Sequence, residues 1–336
     1  MIRNSFSKGH YYIIFLLGFL LVTFFQVSAQ DKLSMTVSQD GSGDFSSIQK
    51  AIDACKAFPD SRITIFVKNG IYKEKVVVPS CNTKLSIIGE SSDKTILTFD
   101  DYFDKINRGR NSTFYTYTLL VQANDFILEN MTVENSAGPV GQAVALHVEG
   151  DRCSFRNCRV LGNQDTLYAA GKLSHQYFEN CTIEGTTDFI FGEATVLFEK
   201  CTIHCKSDSY ITAASTPQGN PFGFVFFKCT LTASENAKKV YLGRPWRIYA
   251  RVAFINCEMG SFVVPEGWHN WSKPESEKST VFAEYKNGGS GASTAKRVSW
   301  SIQLSDSEAS KYTKENIFEW TGMDVPSEIK WYNIKL

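Results

Sequence analysis

Residues 155–160 read FRNCRV, and the same pattern returns as FENCTI at 178–183 and as FEKCTI at 198–203. Two shorter copies follow, and an earlier copy has methionine where the others have cysteine. The repeated position is occupied by Met131, Cys158, Cys181, Cys201, Cys229 and Cys257. Successive members are 27, 23, 20, 28 and 28 residues apart. A short alternating strand that recurs at this period is typical of a β-solenoid, in which each coil adds a parallel strand.

Equivalent positions on successive coils of a β-solenoid stack about 4.8 Å apart, so like residues form internal ladders. We interpret the repeated cysteines as one such ladder, because a buried free cysteine behaves as a small hydrophobic side chain. Neighbouring rungs are close enough for one disulfide, for example Cys181 to Cys201, although parallel side chains suit that bond poorly. Stacked cysteines on one internal face do not offer tetrahedral zinc geometry, so no metal site is expected.

The rest of the chain fits one domain. Residues 47–58 have apolar side chains at helical spacing, with Ser46 or Ser47 as the N-cap. This pattern predicts a helix that covers the first coil. Early strands are predicted at 63–67, 76–78 and 85–88, a loop at 286–291 and a short helix at 305–312. We expect the solenoid domain to span residues 31–325 and a C-terminal tail to follow at 326–336.

The first thirty residues differ in character from the rest. Arg3 and Lys8 precede an uncharged stretch at 9–30, whose strongly apolar part is 13–25, and small residues lead up to Ala29. This arrangement predicts a secretory signal peptide at residues 1–29, cleaved near Ala29. A retained membrane anchor is the alternative, but the apolar part is shorter than the ~20 residues of a spanning helix. We therefore expect a secreted or periplasmic protein whose mature chain has no membrane span.

Composition excludes several classes of protein. The chain has 336 residues, 43% of them hydrophobic, with 35 basic and 35 acidic side chains. A chain of this size buries a sizeable core without metals or disulfides, and its charge balance argues against disorder. A formal net charge of zero gives no electrostatic reason to expect nucleic acid as a partner. A monomer is expected of a capped solenoid.

The repeat also places acidic residues on neighbouring coils. Seven residues after three successive ladder cysteines the sequence has Asp165, Asp188 and Asp208. Gln142 lies 23 residues before Asp165, so equal offsets predict that it clusters with Gln164 and the first two aspartates on one wall. Two neighbouring carboxylates repel when both are ionised, so one is held protonated, as an acid paired with a nucleophile or base requires. Solvated turn residues are the alternative, and we interpret Asp208 in that way.

Four sequence blocks surround these residues. They read QAVAL at 142–146, GNQDTLY at 162–168, DFIFG at 188–192 and LGRPW at 242–246. Together they resemble the signatures of pectin methylesterases, and GIYKE at 70–74 with GWHNW at 267–271 extends the resemblance along most of the mature chain. The resemblance implies an all-β fold, a single-domain right-handed parallel β-helix with an N-terminal capping helix. The chain lacks the long amino-terminal inhibitor-like region of many plant members, which favours a bacterial-type enzyme.

The resemblance also implies a carboxylic ester hydrolase that acts on methylated galacturonate in pectin (homogalacturonan) and needs no cofactor. Asp188 would be the nucleophile, and Asp165 the general acid and then the base. Gln142 and Gln164 would donate amide hydrogens to the tetrahedral oxyanion. Arg244 would hold Asp188 ionised and lower its pKa. The residues expected to contact the sugars are Trp246, Tyr168, Phe191 and Thr113.

Some alternatives remain open at this stage. Solenoid packing is the alternative interpretation of Tyr168 and Phe191, and His147 is interpreted as structural or at the groove edge rather than catalytic. Asn163 replaces an aromatic residue of the family pattern, and residues 100–118 match that pattern poorly, which bears on substrate preference. The rival functions are a pectate lyase, a polygalacturonase, and a pectin-binding protein with an inactive site, since fold alone does not confer activity.

Overall fold

The chain winds in successive coils, and each coil adds one strand to each of three parallel sheets. The computed structural model describes residues 32–319 and 330–334. The predicted signal peptide lies outside the described residues, as does part of the predicted tail. A chain that passes through three parallel sheets in turn and then returns to the first is a parallel β-helix, which confirms the predicted fold class.

The strands are numbered β1 to β26 in chain order. Sheet A contains β1 (Ser34–Val37), β2 (Ile63–Val67), β5 (Leu85–Gly89), β8 (Ile127–Glu129), β11 (Cys153–Arg156), β14 (His175–Glu179), β17 (Thr195–Glu199), β20 (Phe224–Phe227), β23 (Arg251–Ile255), β25 (Val281–Tyr285) and β26 (Ile302–Gln303). Sheet B contains β3 (Gly70–Lys73), β6 (Thr95–Phe99), β9 (Thr132–Asn135), β12 (Arg159–Leu161), β15 (Thr182–Gly185), β18 (Thr202–Cys205), β21 (Thr230–Ala233) and β24 (Glu258–Met259). Sheet C contains β4 (Val76–Val78), β7 (Leu119–Val121), β10 (Leu146–Val148), β13 (Leu167–Ala169), β16 (Ile190–Gly192), β19 (Ser209–Ala214) and β22 (Val240–Pro245).

The few helices are short. The α-helices are α1 (Ile48–Asp53), α2 (Phe103–Ile106), α3 (Asp306–Ala309) and α4 (Lys314–Phe318), and the 3₁₀ segments are Gly109–Tyr115, Pro274–Lys278 and Trp331–Asn333. Among the described residues, no helix has the length and apolar character needed to cross a membrane.

From β8 onward, six successive coils pass from sheet A to sheet B through one residue in the left-handed backbone conformation. These residues have φ between 51° and 55° and are Asn130, Asn157, Asn180, Lys200, Lys228 and Asn256. Asparagine tolerates this conformation better than most side chains, which explains its place in the repeated FRNC and FENC patterns. The N–H of each turn residue donates to a carbonyl of the next coil, for example Asn180 N to Glu199 O at 3.1 Å. The turn therefore bends the chain without interrupting the pairing between coils.

The residue after each left-handed turn is the predicted ladder position. Its five cysteines are buried, and four of their thiols lie 3.3–3.5 Å from a phenylalanine carbonyl oxygen on the preceding coil, as Cys201 Sγ does from Phe178 O. All nine cysteines are free, and so Cys181 and Cys201 are not joined. The ladder is a packing feature, as predicted.

A second ladder, of phenylalanine rings, runs through the core beside the cysteines. Its members come from sheet A and are Phe155, Phe178, Phe198, Phe226 and Phe254. Neighbouring rings stack with centroids 4.3–5.1 Å apart and planes within 24° of parallel. Part of the high aromatic content therefore serves the core, where stacking adds to the gain from burial.

The predicted capping helix forms but is shorter than expected. Ser47 is its N-cap, and Ile48, Ala51 and Ile52 are buried against the first strands. The helix ends at Asp53 rather than at 58, and Phe58, the residue before Pro59, has a left-handed backbone with φ of 49°. The predicted early strands are confirmed. Strands β1, β3 and β6 were missed, and the predicted helix at 305–312 is only α3.

The C-terminal part of the described chain returns to cover the outer face of sheet A. Ile317 and Phe318 of α4 pack with Trp331 and Tyr332 against the later strands of that sheet. Arg156 Nη2 donates to the carbonyl oxygen of Tyr332 at 3.0 Å. This end of the chain is therefore an integral layer of the packing.

The cysteine ladder makes a direct prediction for thiol chemistry. In the native protein the seven buried thiols should be protected from the reagent and only the half-buried Cys55 and Cys81 should react, Cys55 slowly because burial raises its pKa to about 11. Denaturation without reductant should then expose nine thiols to titration with a coloured disulfide reagent. A result of one free thiol, which implies four disulfides, would contradict the packing interpretation.

The phenylalanine ladder is tested by truncation of one ring. Phe198→Ala should lower the free energy of unfolding by about 3–5 kcal/mol, because it leaves a cavity between two stacked rings. Phe58→Ala is the matched control, since Phe58 is 70% exposed and its loss should change stability by about 0.5 kcal/mol or less. Urea unfolding followed by circular dichroism measures both. Equal effects of the two variants would exclude the ladder as a source of stability.

Candidate active site

The predicted site residues meet where the coils enter sheet C. Gln142 precedes β10, Gln164 and Asp165 precede β13, and Asp188 precedes β16, which are neighbouring strands of the sheet. Arg244 lies within β22, further along the same sheet. Each coil enters sheet C at an equivalent point, so residues distant in sequence lie side by side there. All five line one cleft of about 290 Å³.

The two aspartates occupy the same position on consecutive coils. Each lies two residues before a strand, and the two strands pair Leu167 with Ile190. Both have a left-handed backbone, with φ of 63° at Asp165 and 48° at Asp188. Such residues are uncommon outside glycine, and aspartate is among those that tolerate the conformation. The shared backbone geometry presents both carboxylates to the same cleft.

Equal sequence offsets were not a perfect guide to register. Gln142 forms its bridge with Gln164, one residue away from the predicted partner Asp165. On the other side, β16 pairs Ile190 with Thr212, so two residues earlier Tyr210 rather than Asp208 lies beside Asp188. Asp208 is exposed, and its Oδ1 accepts hydrogen bonds from two backbone amides, at Lys238 and Lys239. The interpretation of Asp208 as a turn residue is confirmed.

Arg244 binds Asp188 through both arms of its guanidinium group. Nε donates to Oδ1 at 2.9 Å and Nη2 donates to Oδ2 at 2.6 Å. The guanidinium carbon is also 4.0 Å from the ring centroid of Tyr210 and 3.7 Å from that of Trp271. A bidentate pair with an aromatic contact to each of two rings has little freedom to rearrange. Asp188 is therefore held in one orientation and is only 6% exposed.

The pKa values of the two aspartates are raised by different amounts. Burial raises the pKa of Asp165 well above its usual range, the charge of Asp188 raises it further, and Arg244 partly opposes both. Burial also raises the pKa of Asp188, whereas its hydrogen bond and ion pair with Arg244 lower it. The predicted effect of Arg244 is thus confirmed in direction, but desolvation exceeds it and the net pKa of Asp188 is raised. Asp188 still ionises before Asp165, which keeps its proton to higher pH.

The two glutamine amides are available to a ligand. Gln142 and Gln164 are both half-buried and line the cleft beside the carboxylates. Neither side chain makes a hydrogen bond with another described residue. Amide groups positioned in this way are suitable donors for an oxygen that becomes negatively charged during a reaction.

An aromatic cluster forms one wall of the cleft. Phe191 and Trp246 line the cleft directly, with ring centroids 5.8 Å apart. Tyr168 stacks on Phe191 at 4.6 Å but is not among the lining residues, and it also contacts Phe114 at 5.1 Å. Thr113 lines the cleft and is buried. Three of the four predicted sugar-contacting residues thus line the cleft, and Tyr168 packs beside Phe191 on the neighbouring strand.

His147 adjoins this aromatic cluster through its contact with Tyr168. It is 4% exposed, its ring centroid is 4.6 Å from that of Tyr168, and its Nε2 is 3.2 Å from Glu149 Oε1. It does not line the cleft, in keeping with the interpretation of His147 as structural.

The structure adds cleft residues that sequence reasoning missed. Trp271 is the last residue of the quoted GWHNW block, and with Ser272 it forms two consecutive non-glycine residues of positive φ, at 55° and 54°. Such strain persists where the surroundings fix it, here by the contact with Arg244. Arg110 and Phe114 come from the 3₁₀ segment Gly109–Tyr115, inside the region that departs from the family pattern. That departure was the only sequence signal for them.

No three His, Cys, Asp or Glu side chains within residues 32–319 and 330–334 come together to hold a metal ion. The expectation of an enzyme that works without a cofactor stays a prediction.

Comparisons with known proteins identify one family and one fold. A family model described as Pectinesterase matches residues 34–320. Pectinesterase 31 of Arabidopsis thaliana is 42% identical over 293 residues, which cover 84% of this chain and 91% of that protein. The solved pectin methylesterase from carrot has a TM-score of 0.80 and 31% identity over 85% of this chain and 92% of its own. The solved PemA from Erwinia chrysanthemi has a TM-score of 0.74 and 27% identity over 86% and 98%.

Proposed function

The chain belongs to the pectinesterase family, and we propose that it hydrolyses galacturonate methyl esters in pectin, with Asp188 as nucleophile and Asp165 as general acid and base. The products are methanol and pectate. The observation that carries this assignment is the asymmetry of the two carboxylates. One is fixed by a bidentate arginine, and the other is kept protonated beside it.

In the first half of the reaction, a carboxylate oxygen of Asp188 attacks the carbonyl carbon of the ester. The carbonyl oxygen becomes a tetrahedral oxyanion, which the amides of Gln142 and Gln164 stabilise by hydrogen bonds. The tetrahedral intermediate collapses as Asp165 gives its proton to the departing methoxide oxygen, and methanol leaves. A covalent anhydride then joins the galacturonate to Asp188, and Asp165 is ionised.

In the second half, ionised Asp165 takes a proton from water. The oxygen of that water attacks the galacturonate carbonyl of the anhydride, and the same two amides stabilise the new oxyanion. The bond to Asp188 breaks with its electron pair, which restores the carboxylate. Asp165 is protonated again, and the galacturonic acid product loses its proton to solvent.

Arg244 supports both halves by holding Asp188 ionised and in position between turnovers. Its contacts with Tyr210 and Trp271 limit the arrangements that the guanidinium group can adopt. Because the aromatic rings of Phe191 and Trp246 line the cleft, they suit the apolar faces of sugar rings. Secretion, as inferred from residues 1–29, would place the enzyme where plant cell-wall polymer is found, and a bacterial-type origin stays a prediction.

The two carboxylates are tested by substitution. Asp188→Ala should abolish methanol release from methylated pectin, because it removes the nucleophile. Asp165→Asn should lower it by about 10²-fold or more, since the amide cannot transfer a proton. Asp208→Asn is the matched control, an aspartate at the same offset in the repeat but outside the cleft, and its activity should be unchanged.

Circular dichroism establishes that each variant is folded. Near-normal methanol release by folded Asp188→Ala would contradict the assignment of the nucleophile. A lyase or a polygalacturonase would cut the polymer without releasing methanol, and a binding protein with an inactive site would do neither.

The role of Arg244 is tested by the pH profile of methanol release. Activity requires Asp188 ionised, so it is lost as pH falls through the pKa of that residue. Arg244 lowers this pKa against the effect of burial, so Arg244→Ala should move the acid limb of the profile to higher pH. Arg244→Lys keeps the charge but loses the bidentate fork, and its acid limb should fall between the two. An acid limb at the wild-type position in a folded Arg244→Ala enzyme would exclude this role.

A further inference from the structure

The GWHNW block contains a histidine that the proposed mechanism does not use. His269 is half-buried and does not line the cleft. Its backbone N–H donates to the carbonyl oxygen of Gly243 at 3.1 Å, and Gly243 directly precedes Arg244 in β22. The backbone of His269 is thus held beside the residue that binds Asp188.

The imidazole ring packs against two tyrosines next to Arg244. Its centroid is 5.5 Å from that of Tyr210 and 5.5 Å from that of Tyr241, and the two tyrosine rings stack at 5.2 Å. Tyr210 in turn lies 4.0 Å from the guanidinium carbon of Arg244. These contacts restrict the orientation of the His269 ring, and with it the directions in which its two nitrogens point.

One of those nitrogens holds the turn that follows. Nδ1 of His269 accepts a hydrogen bond from the backbone N–H of Trp271 at 2.9 Å. Trp271 and Ser272 both have a left-handed backbone, which is unfavourable for residues other than glycine. Asn270 Oδ1 accepts from the N–H of Ser272, also at 2.9 Å. Two consecutive side chains therefore supply one acceptor for each of the two strained residues.

The shape of this turn decides where the ring of Trp271 lies. Its centroid is 3.7 Å from the guanidinium carbon of Arg244, whose two arms bind Asp188. The hydrogen bond from the backbone of Trp271 thus fixes the indole ring, and the ring limits the movement of Arg244. His269 acts on Asp188 through these two residues without touching it.

We propose that His269 is a positioning residue of the esterase reaction, whose neutral imidazole holds Trp271 against Arg244 and so keeps Asp188 in its reactive orientation. This inference rests on the proposed function. Nδ1 accepts a hydrogen bond only while it has no proton, so the neutral ring carries its hydrogen on Nε2. A protonated ring would present an N–H to the N–H of Trp271, and the bond would be lost.

The surroundings of His269 favour the neutral form. Burial lowers the pKa of His269, and the positive charge of Arg244 lowers it further. The other titratable groups that face the ring are the phenols of Tyr210 and Tyr241. His269 should therefore keep its acceptor to a lower pH than an ordinary histidine, and lose it only in more acidic solution.

Two substitutions separate the acceptor from the ring. His269→Phe keeps an aromatic ring but has no acceptor, whereas His269→Asn has no ring but keeps an oxygen that can accept from the N–H two residues on. His269→Phe should lower kcat/KM for methanol release from methylated pectin by about three- to tenfold, the effect of one hydrogen bond. His269→Asn should recover most of that loss. Circular dichroism establishes that both variants are folded.

The pH profile of kcat/KM gives a second readout. In the wild type, activity falls at low pH because Asp188 takes up a proton and also because protonated His269 releases Trp271. His269→Asn has no titrating group at this position. Relative to its own maximum, it should therefore keep about three- to tenfold more activity than the wild type at the acid end.

His204→Asn is the matched control for the loss of a histidine. His204 is half-buried on sheet B, and its ring nitrogens lie 2.9 Å from the hydroxyl of Thr232 and 3.0 Å from that of Ser234. It does not line the cleft. Its pH profile should be that of the wild type.

Nuclear magnetic resonance of the imidazole nitrogens tests the hydrogen bond in the wild-type protein. At a pH where His269 is neutral, its signals should be those of the Nε2–H tautomer, and their absence from the spectrum of His269→Asn identifies them. This measurement holds even if a variant does not fold.

The outcomes separate the two proposals. An Nδ1–H tautomer, equal activities of His269→Phe and His269→Asn, or a His269→Asn profile that matches the wild type at the acid end would overturn the role of His269 while the proposed function stands. If the folded wild-type protein releases no methanol from methylated pectin, the proposed function itself fails.

Discussion

The hydrogen bonds between consecutive coils are the constraint on which the rest of the molecule depends. A left-handed residue turns the chain from sheet A to sheet B and still donates its N–H to the next coil, as at Asn157 and Asn180. Because pairing continues through the turn, the coils stay in register on all three sheets. The stacked phenylalanines, the buried thiols and the two aspartates all follow from this single alignment, since each is a set of equivalent positions on neighbouring coils.

The same alignment also brings two acidic side chains together, an arrangement that does not favour the stability of the fold. Repetition brings Asp165 and Asp188 together in a half-enclosed cleft, where burial raises the pKa of both. A symmetrical environment would leave the two acids equivalent. Arg244 removes the symmetry, because it is bound to Asp188 alone and comes from a strand further along sheet C. A difference between two identical side chains is what a reaction with one nucleophile and one acid requires.

Much of this could be predicted from the sequence, for physical reasons that also mark the limits. Each FRNC-type repeat contains a strand, a turn residue and a core residue. Its spacing therefore predicted the β-helix and the aspartates on neighbouring coils. Counting residues failed where a coil changed length, which moved Gln142 by one position and put Tyr210 where Asp208 was counted. Trp271 and Arg110 were missed because irregular segments, folded back by distant contacts, carry them to the cleft. The net pKa of Asp188 depends on burial, which no motif reports.

The two ends of the β-helix limit the addition of further coils or of a second molecule. At the N-terminal end, α1 packs against β1 and β4, the first strands of sheets A and C. At the other end, β24 and β26 are two residues long, and Pro245 at the end of β22 has no N–H to offer. Short or blocked edge strands give a second molecule few backbone groups to pair with. A fold that could in principle extend by adding copies of itself end to end is thereby protected from fibril formation.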